Sequence, residues 1–424
     1  MKFLSPHHGL GTLVNHVGES GGDPHPHVPP IYQTSAFRFT DVAAGREIVS
    51  ADLPGYYYTR IGNPNLTVLA RKISVLEGLD LWRNQSDARR TQSDAWRNQP
   101  GADLDQVVDG RVFASGMAAV SAVILSCLQA GDTLIAQGNL YSNTFTWLTH
   151  LAPRLGIQVA WVSDISTEGW QAALQEHPGA RLVYAESPTN PTLSVVDLQR
   201  VAELVHERGG WLAVDNTFAT PYCQRPLSLG ADLVLHSTTK YLSGHGAVIG
   251  GAVVSRHPDF VRTRLQQAVV LYGGVPSPFD AWLADLGLRT FELRMQRHCE
   301  NALQVARYLV DHPQVATVHY PGLESDAGYA IASRQMHAFG GMLSFELKGG
   351  YEAGERLMNR VQVATLAVSL GNVDTLIQHP ASMTHFGVPR EERLKMGLAD
   401  GLVRLSVGIE NVDDLIADLD QALG

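Results

Sequence analysis

The sequence predicts an α/β protein built on a largely parallel β-sheet with helices on both faces. From about residue 111 to 290, short apolar runs alternate with helical stretches such as VDLQRVAELVHERGG. Apolar strand runs that alternate with helices indicate parallel strands buried on both sides. The six predicted strands are TLIAQ (133–137), QVAWVS (158–163), RLVYAES (181–187), WLAVDN (211–216), DLVLHS (232–237) and GAVVS (251–255).

The rest of the chain is organised around this sheet. Residues 1–65 are rich in Gly, Pro, His and aromatic side chains, which predicts an extended N-terminal arm with a few turns. Residues 66–285 form the large domain, which opens with the helical pattern LTVLARKISVLE. Residues 286–424 form a smaller α+β unit that contains the strand-like segments GGMLSFEL, ATLAVSLG and LVRLSVGIE.

One stretch of the large domain departs from its surroundings in composition. Residues 80–110 are polar and contain the tetrapeptides WRNQ and QSDA twice each. We predict a surface insertion here. The 14-residue spacing of Trp82 and Trp96 would place both rings on one helix face, as in a short amphipathic hairpin.

Charge and composition exclude several classes of protein. The 424 residues include 32 basic and 42 acidic side chains, a net charge of −10 without a basic run, so we expect no nucleic-acid or membrane partner. No apolar stretch approaches the roughly 20 residues of a membrane span. The N-terminus lacks a signal peptide's apolar core, and three scattered cysteines fit a reducing compartment, so we expect a cytoplasmic protein.

Two histidines have the spacing of metal ligands. His25 and His27 form an H-x-H pair, but they lie among prolines and lack a clear third ligand. We therefore expect no metal site.

Lys240 is the first candidate for chemistry. It follows the apolar run DLVLHS and the hydroxyl residues 237–239, and a Gly-rich turn comes after it. An amine in such surroundings is desolvated, which lowers its pKa and frees it as a nucleophile toward an aldehyde. Ser237 and Thr239 could hold a phosphate beside that aldehyde. A lysine in a polar surface loop is the alternative, which the flanking residues disfavour.

Two further segments suit a phosphorylated pyridine aldehyde. Asp215 ends the strand WLAVDN one βα unit before Lys240, where a carboxylate could keep a pyridine nitrogen protonated. Taken alone, Asp215 is better explained as a structural cap. Gly116 and Met117 begin an apolar helix, so their backbone N–H groups could bind a phosphate.

Two other side chains have both a functional and a structural interpretation. Tyr141, in GNLYSNTF, could stack on a cofactor ring or serve as an ordinary core tyrosine. Arg404 lies in the otherwise apolar strand LVRLSVGIE and needs an anionic partner. That partner is either a substrate carboxylate or an internal Asp or Glu.

Together these segments resemble the Cys/Met-metabolism family of pyridoxal-phosphate enzymes over nearly the whole chain outside 80–110. The resemblance rests on YYYTRIGNPN, FASGMAA, ESPTNPT, VDNTFATPYCQRPLSLGADLVLHSTTKYLSGHG, PSPFDAWLADLGLRT, SLGNVDTLIQHPASMTH and DGLVRLSVGIE. It implies a fold type I large domain with a mostly parallel seven-stranded sheet, a smaller C-terminal domain, and a homotetramer built from dimers that share active sites.

The resemblance also implies roles around the cofactor, pyridoxal 5'-phosphate. Lys240 would bond to its aldehyde and later carry protons between substrate carbons, while Asp215 would pair with the ring nitrogen. Tyr141 would stack on the ring and act as an acid toward the γ-leaving group. The phosphate would be held by Gly116, Met117, Ser237 and Thr239 of the same subunit.

Other positions would complete the site. Tyr58 and Arg60, in the arm, would reach the phosphate from a neighbouring subunit. The ring oxygen and the carboxylate of the amino-acid substrate would be positioned by Asn190, Ser369 and Arg404.

Within the family, the TRIGNP and LAVSLGNVDTLIQHPASMTH segments are nearest to the methionine γ-lyases. Methionine γ-lyases usually carry Cys at the position where this chain has Asn143. Cystathionine-handling relatives carry acidic residues at two positions where this chain has the neutral residues Tyr57 and Val368. We therefore expect γ-elimination from methionine or homocysteine to 2-oxobutanoate, ammonia and a thiol or sulfide. The alternative is γ-replacement on an activated homoserine ester, as in O-acetyl- or O-succinylhomoserine sulfhydrylase or cystathionine γ-synthase. Cystathionine γ-lyase activity is less favoured.

Overall fold

Two β-sheets organise the chain, one of seven strands and one of five. The computed structural model describes residues 4–18, 26–90, 104–384, 386–387, 389–395 and 397–424. Among these residues, no helix is long and apolar enough to cross a bilayer.

The seven-stranded sheet has the order β1-β7-β6-β5-β4-β2-β3. Only β7 runs antiparallel to its neighbours, so the predicted mostly parallel α/β sheet is confirmed. All six predicted strands are present, with ends that differ by at most one residue. The strands are β1 Asp109–Phe113, β2 Thr133–Gln137, β3 Gln158–Val162, β4 Leu182–Glu186, β5 Trp211–Asp215, β6 Leu233–Ser237 and β7 Gly251–Ser255.

The sequence pattern did not indicate β1. Its residues, DGRVF, include two charged side chains and a glycine, so no apolar run marks a strand. The charges are accommodated by pairing, since Arg111 Nη1 lies 3.0 Å from Asp109 Oδ1 and Arg111 Nε donates to Gln266.

The five-stranded sheet has the order β10-β11-β12-β9-β8. The segments GGMLSFEL and LVRLSVGIE form β9 and β12 as expected, whereas ATLAVSLG contributes only the two residues of β10. The sequence pattern did not indicate β8 and β11. The strands are β8 Val315–His319, β9 Met342–Leu347, β10 Thr365–Leu366, β11 Leu376–Gln378 and β12 Leu402–Ser406.

Helices cover both sheets, and the apolar positions of several of them face the core. In α8, for example, five of the nine side chains are buried, and Asp197 caps the first turn by accepting from the N–H of Arg200. The helices are α1 Leu10–His16, α2 Val42–Val49, α3 Pro64–Arg90, α4 Leu104–Val107, α5 Gly116–Cys127, α6 Ser142–Thr146, α7 Thr167–Glu176, α8 Leu198–His206, α9 Thr220–Cys223, α10 Pro258–Phe260, α11 Gln266–Tyr272, α12 Pro278–Leu288, α13 Phe291–Val310, α14 Tyr329–Gln335, α15 Gly350–Arg360, α16 Arg390–Lys395 and α17 Val412–Leu423.

The first part of the chain contains more helix than its composition predicts. Helix α1 contacts α3 and α13 and buries Leu10, Leu13 and Val14 in the main core. The backbone N–H of Gly11 also donates to Glu292 Oε2 at 2.5 Å. The arm predicted over 1–65 is therefore docked on its own chain near its start, because a short apolar helix has enough surface to join the core.

The predicted insertion over 80–110 also differs from expectation at its ends. Helix α3 continues through position 80 to Arg90, and Trp82 on it is buried in the main core. Leu104 and Val107 are buried as well, just before β1. Residues 91–103, and with them Trp96 of the predicted hairpin, lie outside the described residues. The domain boundaries and the insertion itself stay predictions.

Replacing Leu13 by Ala should destabilise the protein, because Leu13 is fully buried between α1 and the core. Removing a buried leucine side chain lowers the free energy of unfolding by about 2–5 kcal/mol. The matched control is Leu155→Ala, since Leu155 is 47% exposed. Thermal or urea unfolding should show a large loss for Leu13→Ala only, and equal effects would contradict the packing of α1.

Candidate active site

Three neighbouring parallel strands end in polar side chains at one edge of the large sheet. Glu186 ends β4, Asp215 ends β5 and Ser237 ends β6. Glu186 and Asp215 are register partners, so the two carboxylate residues lie side by side. The carboxyl edge of a parallel sheet is where α/β proteins bind ligands.

Lys240 lies in the turn that follows β6. Its N–H donates to the Ser237 carbonyl at 3.2 Å, and its carbonyl accepts from Gly244 N–H at 2.8 Å. Its Nζ donates to Ser369 Oγ at 2.7 Å. Burial, with a smaller contribution from the positive charge of Arg404, lowers the pKa of Lys240 to about 8. A substantial fraction of this amine is therefore neutral near pH 8, as a nucleophile requires.

Arg404 lies in the middle strand of the smaller sheet and is 6% exposed. Its Nη1 donates to Asn190 Oδ1 at 3.0 Å and its Nη2 to the Ser369 carbonyl at 2.6 Å. Burial lowers the pKa of Arg404 to about 10. Hydrogen bonds thus connect Lys240 with Asn190, Ser369 and Arg404, the three residues that the resemblance had grouped.

No ion pair joins Arg404 to a carboxylate in the described part of the chain. Of the two partners that the sequence allowed, the internal Asp or Glu is therefore not found as an ion pair. A buried guanidinium that is hydrogen-bonded only to neutral oxygens suits an anionic ligand.

Glu186 lies near the end of a predicted strand, but the sequence analysis gave it no role in the site. It is buried, and its carboxylate accepts from the backbone N–H groups of Tyr141 at 2.9 Å and Asn190 at 3.0 Å. Burial and the neighbouring charge of Asp215 raise the pKa of Glu186 well above its usual value. The side chain thus fixes the backbone of two predicted site residues. Its position at a strand end was the available signal in the sequence.

Asp215 is half-buried and keeps acceptor capacity at the sheet edge. Its Oδ1 accepts from the N–H of Thr217 at 3.0 Å, while its Oδ2 accepts a longer hydrogen bond, 3.4 Å, from the Tyr184 hydroxyl. A carboxylate has about four acceptor positions, so Asp215 can receive a further N–H donor.

The start of α5 lies directly against Ser237. A Cβ atom built on Gly116 would lie 3.0 Å from Ser237 Cβ, so a larger residue at position 116 would crowd the space between them. Ser115 caps the helix by accepting from Ala118 N–H. The N–H groups of Gly116 and Met117, together with the Ser237 hydroxyl, donate to no other described residue. These groups form a cradle for an anion such as phosphate.

The hydroxyl of Thr239, the fourth predicted phosphate ligand, already makes hydrogen bonds with the backbone of Gly250. Its Oγ1 accepts from Gly250 N–H at 3.0 Å and lies 3.3 Å from the Gly250 carbonyl. Its hydroxyl therefore holds the loop before β7 against the Lys240 turn.

Tyr141 is 42% exposed and lies just before α6. Its backbone is tied to Glu186, and its hydroxyl oxygen accepts from Asn143 Nδ2 at 3.1 Å. The phenol hydrogen is therefore free to donate to a ligand.

Tyr58 and Arg60 are not brought to the Lys240 cluster within one chain. The guanidinium of Arg60 lies 5.4 Å from the centre of the Tyr58 ring, and its Nη1 donates to the Val270 carbonyl at 2.6 Å. The contact of these residues with a neighbouring subunit stays a prediction.

Among the described residues, no group of three or more His, Cys, Asp or Glu side chains could hold a metal ion. His27 belongs to these residues, whereas His25 of the H-x-H pair lies outside them.

Comparisons with known proteins identify the family of the chain. A model of the family described as Cys/Met metabolism PLP-dependent enzyme matches residues 11–81 and 98–424. An L-methionine gamma-lyase of Fusobacterium nucleatum subsp. nucleatum is 44% identical, and the match covers 98% of both chains. The L-methionine gamma-lyase of Pseudomonas putida is 42% identical over 98% of this chain and 97% of its own length.

A solved structure is similar over the same extent. The cystathionine gamma synthase of Xanthomonas oryzae pv. oryzae, in complex with aminoacrylate and cysteine, has a TM-score of 0.86 at 36% identity and 98% coverage of both chains. The matches confirm the predicted fold type I architecture, the pyridoxal phosphate cofactor and the class of carbon–sulfur lyases. The chain therefore belongs to the Cys/Met metabolism family of pyridoxal-phosphate-dependent enzymes.

Proposed function

We propose that this enzyme catalyses γ-elimination from L-methionine or L-homocysteine. With one water, methionine gives methanethiol, 2-oxobutanoate and ammonia, and homocysteine gives sulfide in place of the thiol. The observation that carries the proposal is the contact of Lys240 Nζ with Ser369, whose carbonyl also accepts from Arg404. A proton-carrying amine thus lies beside a buried binding group for an amino-acid carboxylate.

The residues of the site fit the cofactor. Gly116, Met117 and Ser237 would hold its phosphate, Asp215 its ring nitrogen and Lys240 its aldehyde. When bound, pyridoxal phosphate supplies an electron-withdrawing ring that stabilises negative charge on the substrate's Cα and Cβ. The low pKa of Lys240, caused chiefly by burial, supports its role in bonding to the aldehyde.

The chain's own side chains divide the remaining tasks. Arg404 and Asn190 bind the substrate carboxylate and so orient the Cα–H bond toward Lys240. The Lys240 amine would take the Cα proton, become neutral again by giving that proton to the carbon of the cofactor's former aldehyde group, and then take a Cβ proton. The Tyr141 hydroxyl, whose oxygen already accepts from Asn143, donates its hydrogen to the departing γ-sulfur.

The uncharged residues at positions 57 and 368 favour an uncharged substrate tail. Val368, which precedes Ser369, is 58% exposed, and Tyr57 lies beside Tyr58 in the arm. Neither residue can pair with the distal ammonium of cystathionine, which would lose hydration without gaining a partner. A methyl thioether or a thiol carries no such charge.

The alternative is γ-replacement, in which sulfide or a thiol adds to an activated homoserine ester. It is favoured by the likeness to a solved cystathionine gamma synthase. The same amine and carboxylate-binding groups would serve both reactions, which diverge only when a second nucleophile enters.

We also propose a cytoplasmic homotetramer in which paired subunits complete each other's sites. Exposed apolar side chains on α11 and before β7 support an interface between copies, since Ile249 is 66%, Leu271 68% and Tyr272 60% exposed. Tyr58 and Arg60, which do not contact the Lys240 cluster of their own chain, are available to a neighbour. The three free cysteines are compatible with a reducing compartment.

The purified enzyme, loaded with pyridoxal phosphate, should release 2-oxobutanoate from methionine and homocysteine faster than from cystathionine. The measurement is 2-oxobutanoate formation with each substrate, and homocysteine formation from O-acetylhomoserine plus sulfide. Lys240→Arg is the control that keeps the charge and removes the nucleophile. Homocysteine formation without any 2-oxobutanoate would exclude the lyase and favour γ-replacement.

In the cofactor-free protein, Lys240 should react with an amine-acylating reagent with a midpoint near pH 8, because burial lowers its pKa to about 8. Below that pH the amine is protonated and unreactive, and above it the rate levels off. Peptide mass spectrometry can follow Lys240 beside the exposed Lys348. Arg404→Met should shift the Lys240 midpoint upward, because it removes a positive charge. A Lys240 midpoint at or above that of Lys348 would contradict the burial of the amine.

A further inference from the structure

A fully buried carboxylate on α3 contacts two residues that adjoin the cofactor site. Glu77 Oε1 accepts from Asn216 Nδ2 at 2.8 Å and lies 2.5 Å from His236 Nε2. A carboxylate can only accept, so Nε2 of His236 carries the hydrogen. Asn216 follows Asp215, and His236 precedes Ser237.

The same network reaches the end of β4. Asn216 Nδ2 also lies 2.9 Å from the Gln224 carbonyl, and Gln224 Nε2 donates to the Ser187 carbonyl at 3.0 Å. Ser187 follows Glu186. Buried hydrogen bonds therefore connect the residues that adjoin all three polar strand ends of the site.

The Glu77 carboxylate is costly to bury in this position. Its second oxygen, Oε2, makes no hydrogen bond to any residue that the structure describes. Burying a carboxylate oxygen without a partner disfavours folding, and an apolar side chain in α3 would avoid that cost. Such an unsatisfied group calls for an explanation beyond stability.

We propose that Glu77 is a positioning residue that fixes the distance between Asp215 and Ser237. Successive residues of an extended chain point to opposite sides, so Asn216, just after β5, and His236 face α3, while Asp215 and Ser237 point to the side where α5 begins. One carboxylate oxygen that binds both holds the ends of β5 and β6 at a set separation. The distance between Asp215 and Ser237 therefore depends on the hydrogen bonds to Glu77. The affinity for the cofactor depends on that distance, because Asp215 would hold the ring nitrogen and Ser237 the phosphate. The inference rests on the cofactor and not on the proposed substrate.

The test compares Glu77→Leu, Glu77→Gln and a matched control, Ser74→Ala. Ser74 is buried on the same helix, but its hydroxyl donates only to Ala70 within α3. Cofactor-free proteins are titrated with pyridoxal phosphate, followed by the visible absorption of the bound form. Unfolding midpoints are measured with and without cofactor.

We expect Glu77→Leu to weaken cofactor affinity by about tenfold or more, because two buried donors lose their acceptor. Glu77→Gln keeps an acceptor oxygen and should stay close to the unaltered protein, as should Ser74→Ala. The rise in unfolding midpoint on cofactor binding should shrink for Glu77→Leu alone.

Unaltered affinity in Glu77→Leu would overturn the proposal, as would equal losses in Glu77→Leu and Ser74→Ala. If Glu77→Leu does not fold, Asn216→Ala takes its place, since it removes the Glu77 donor that adjoins Asp215. Unaltered affinity in that variant would equally overturn the proposal. No substrate is present in these titrations, so their outcome is independent of which reaction the enzyme catalyses.

Discussion

Burial of ionisable groups at one edge of the large sheet is the constraint on which the site depends. Burial lowers the pKa of Lys240 to about 8 and that of Arg404 to about 10, and raises that of Glu186. The same exclusion of water that makes the amine a nucleophile leaves the guanidinium in need of an anion. Reactivity and substrate recognition thus have a single physical cause.

Ser369 is one of the residues that join the two sheets at this site, beside the Asn190 contact of Arg404. Its hydroxyl accepts from Lys240, which follows β6 of the large sheet, and its carbonyl accepts from Arg404 on β12 of the smaller sheet. The position of the amine relative to the carboxylate-binding group is therefore set within a single residue. Movement of one sheet relative to the other would separate Lys240 from Ser369, which lies between β10 and β11 of the smaller sheet.

Much of this arrangement was predictable because it depends on local signals. Apolar runs marked six of the seven strands of the large sheet, and Lys240, Asp215 and Arg404 stood out as polar residues at the ends or in the middle of such runs. β1 gave no such signal, because its Arg111 and Asp109 satisfy each other only after the strand has formed. Glu77 looked like one polar position of an ordinary helix, since its partners Asn216 and His236 are far away in sequence. Contacts of that range require the folded chain.

The backbone conformation of Ser369 limits which residues can replace it during evolution. Its φ of +101° lies in a region that side chains with a Cβ rarely adopt. Glycine would relieve the strain but lacks the hydroxyl that Lys240 contacts, and alanine would keep the strain without the hydroxyl. Substitutions that change the substrate would therefore occur at the exposed neighbour Val368 and not at Ser369.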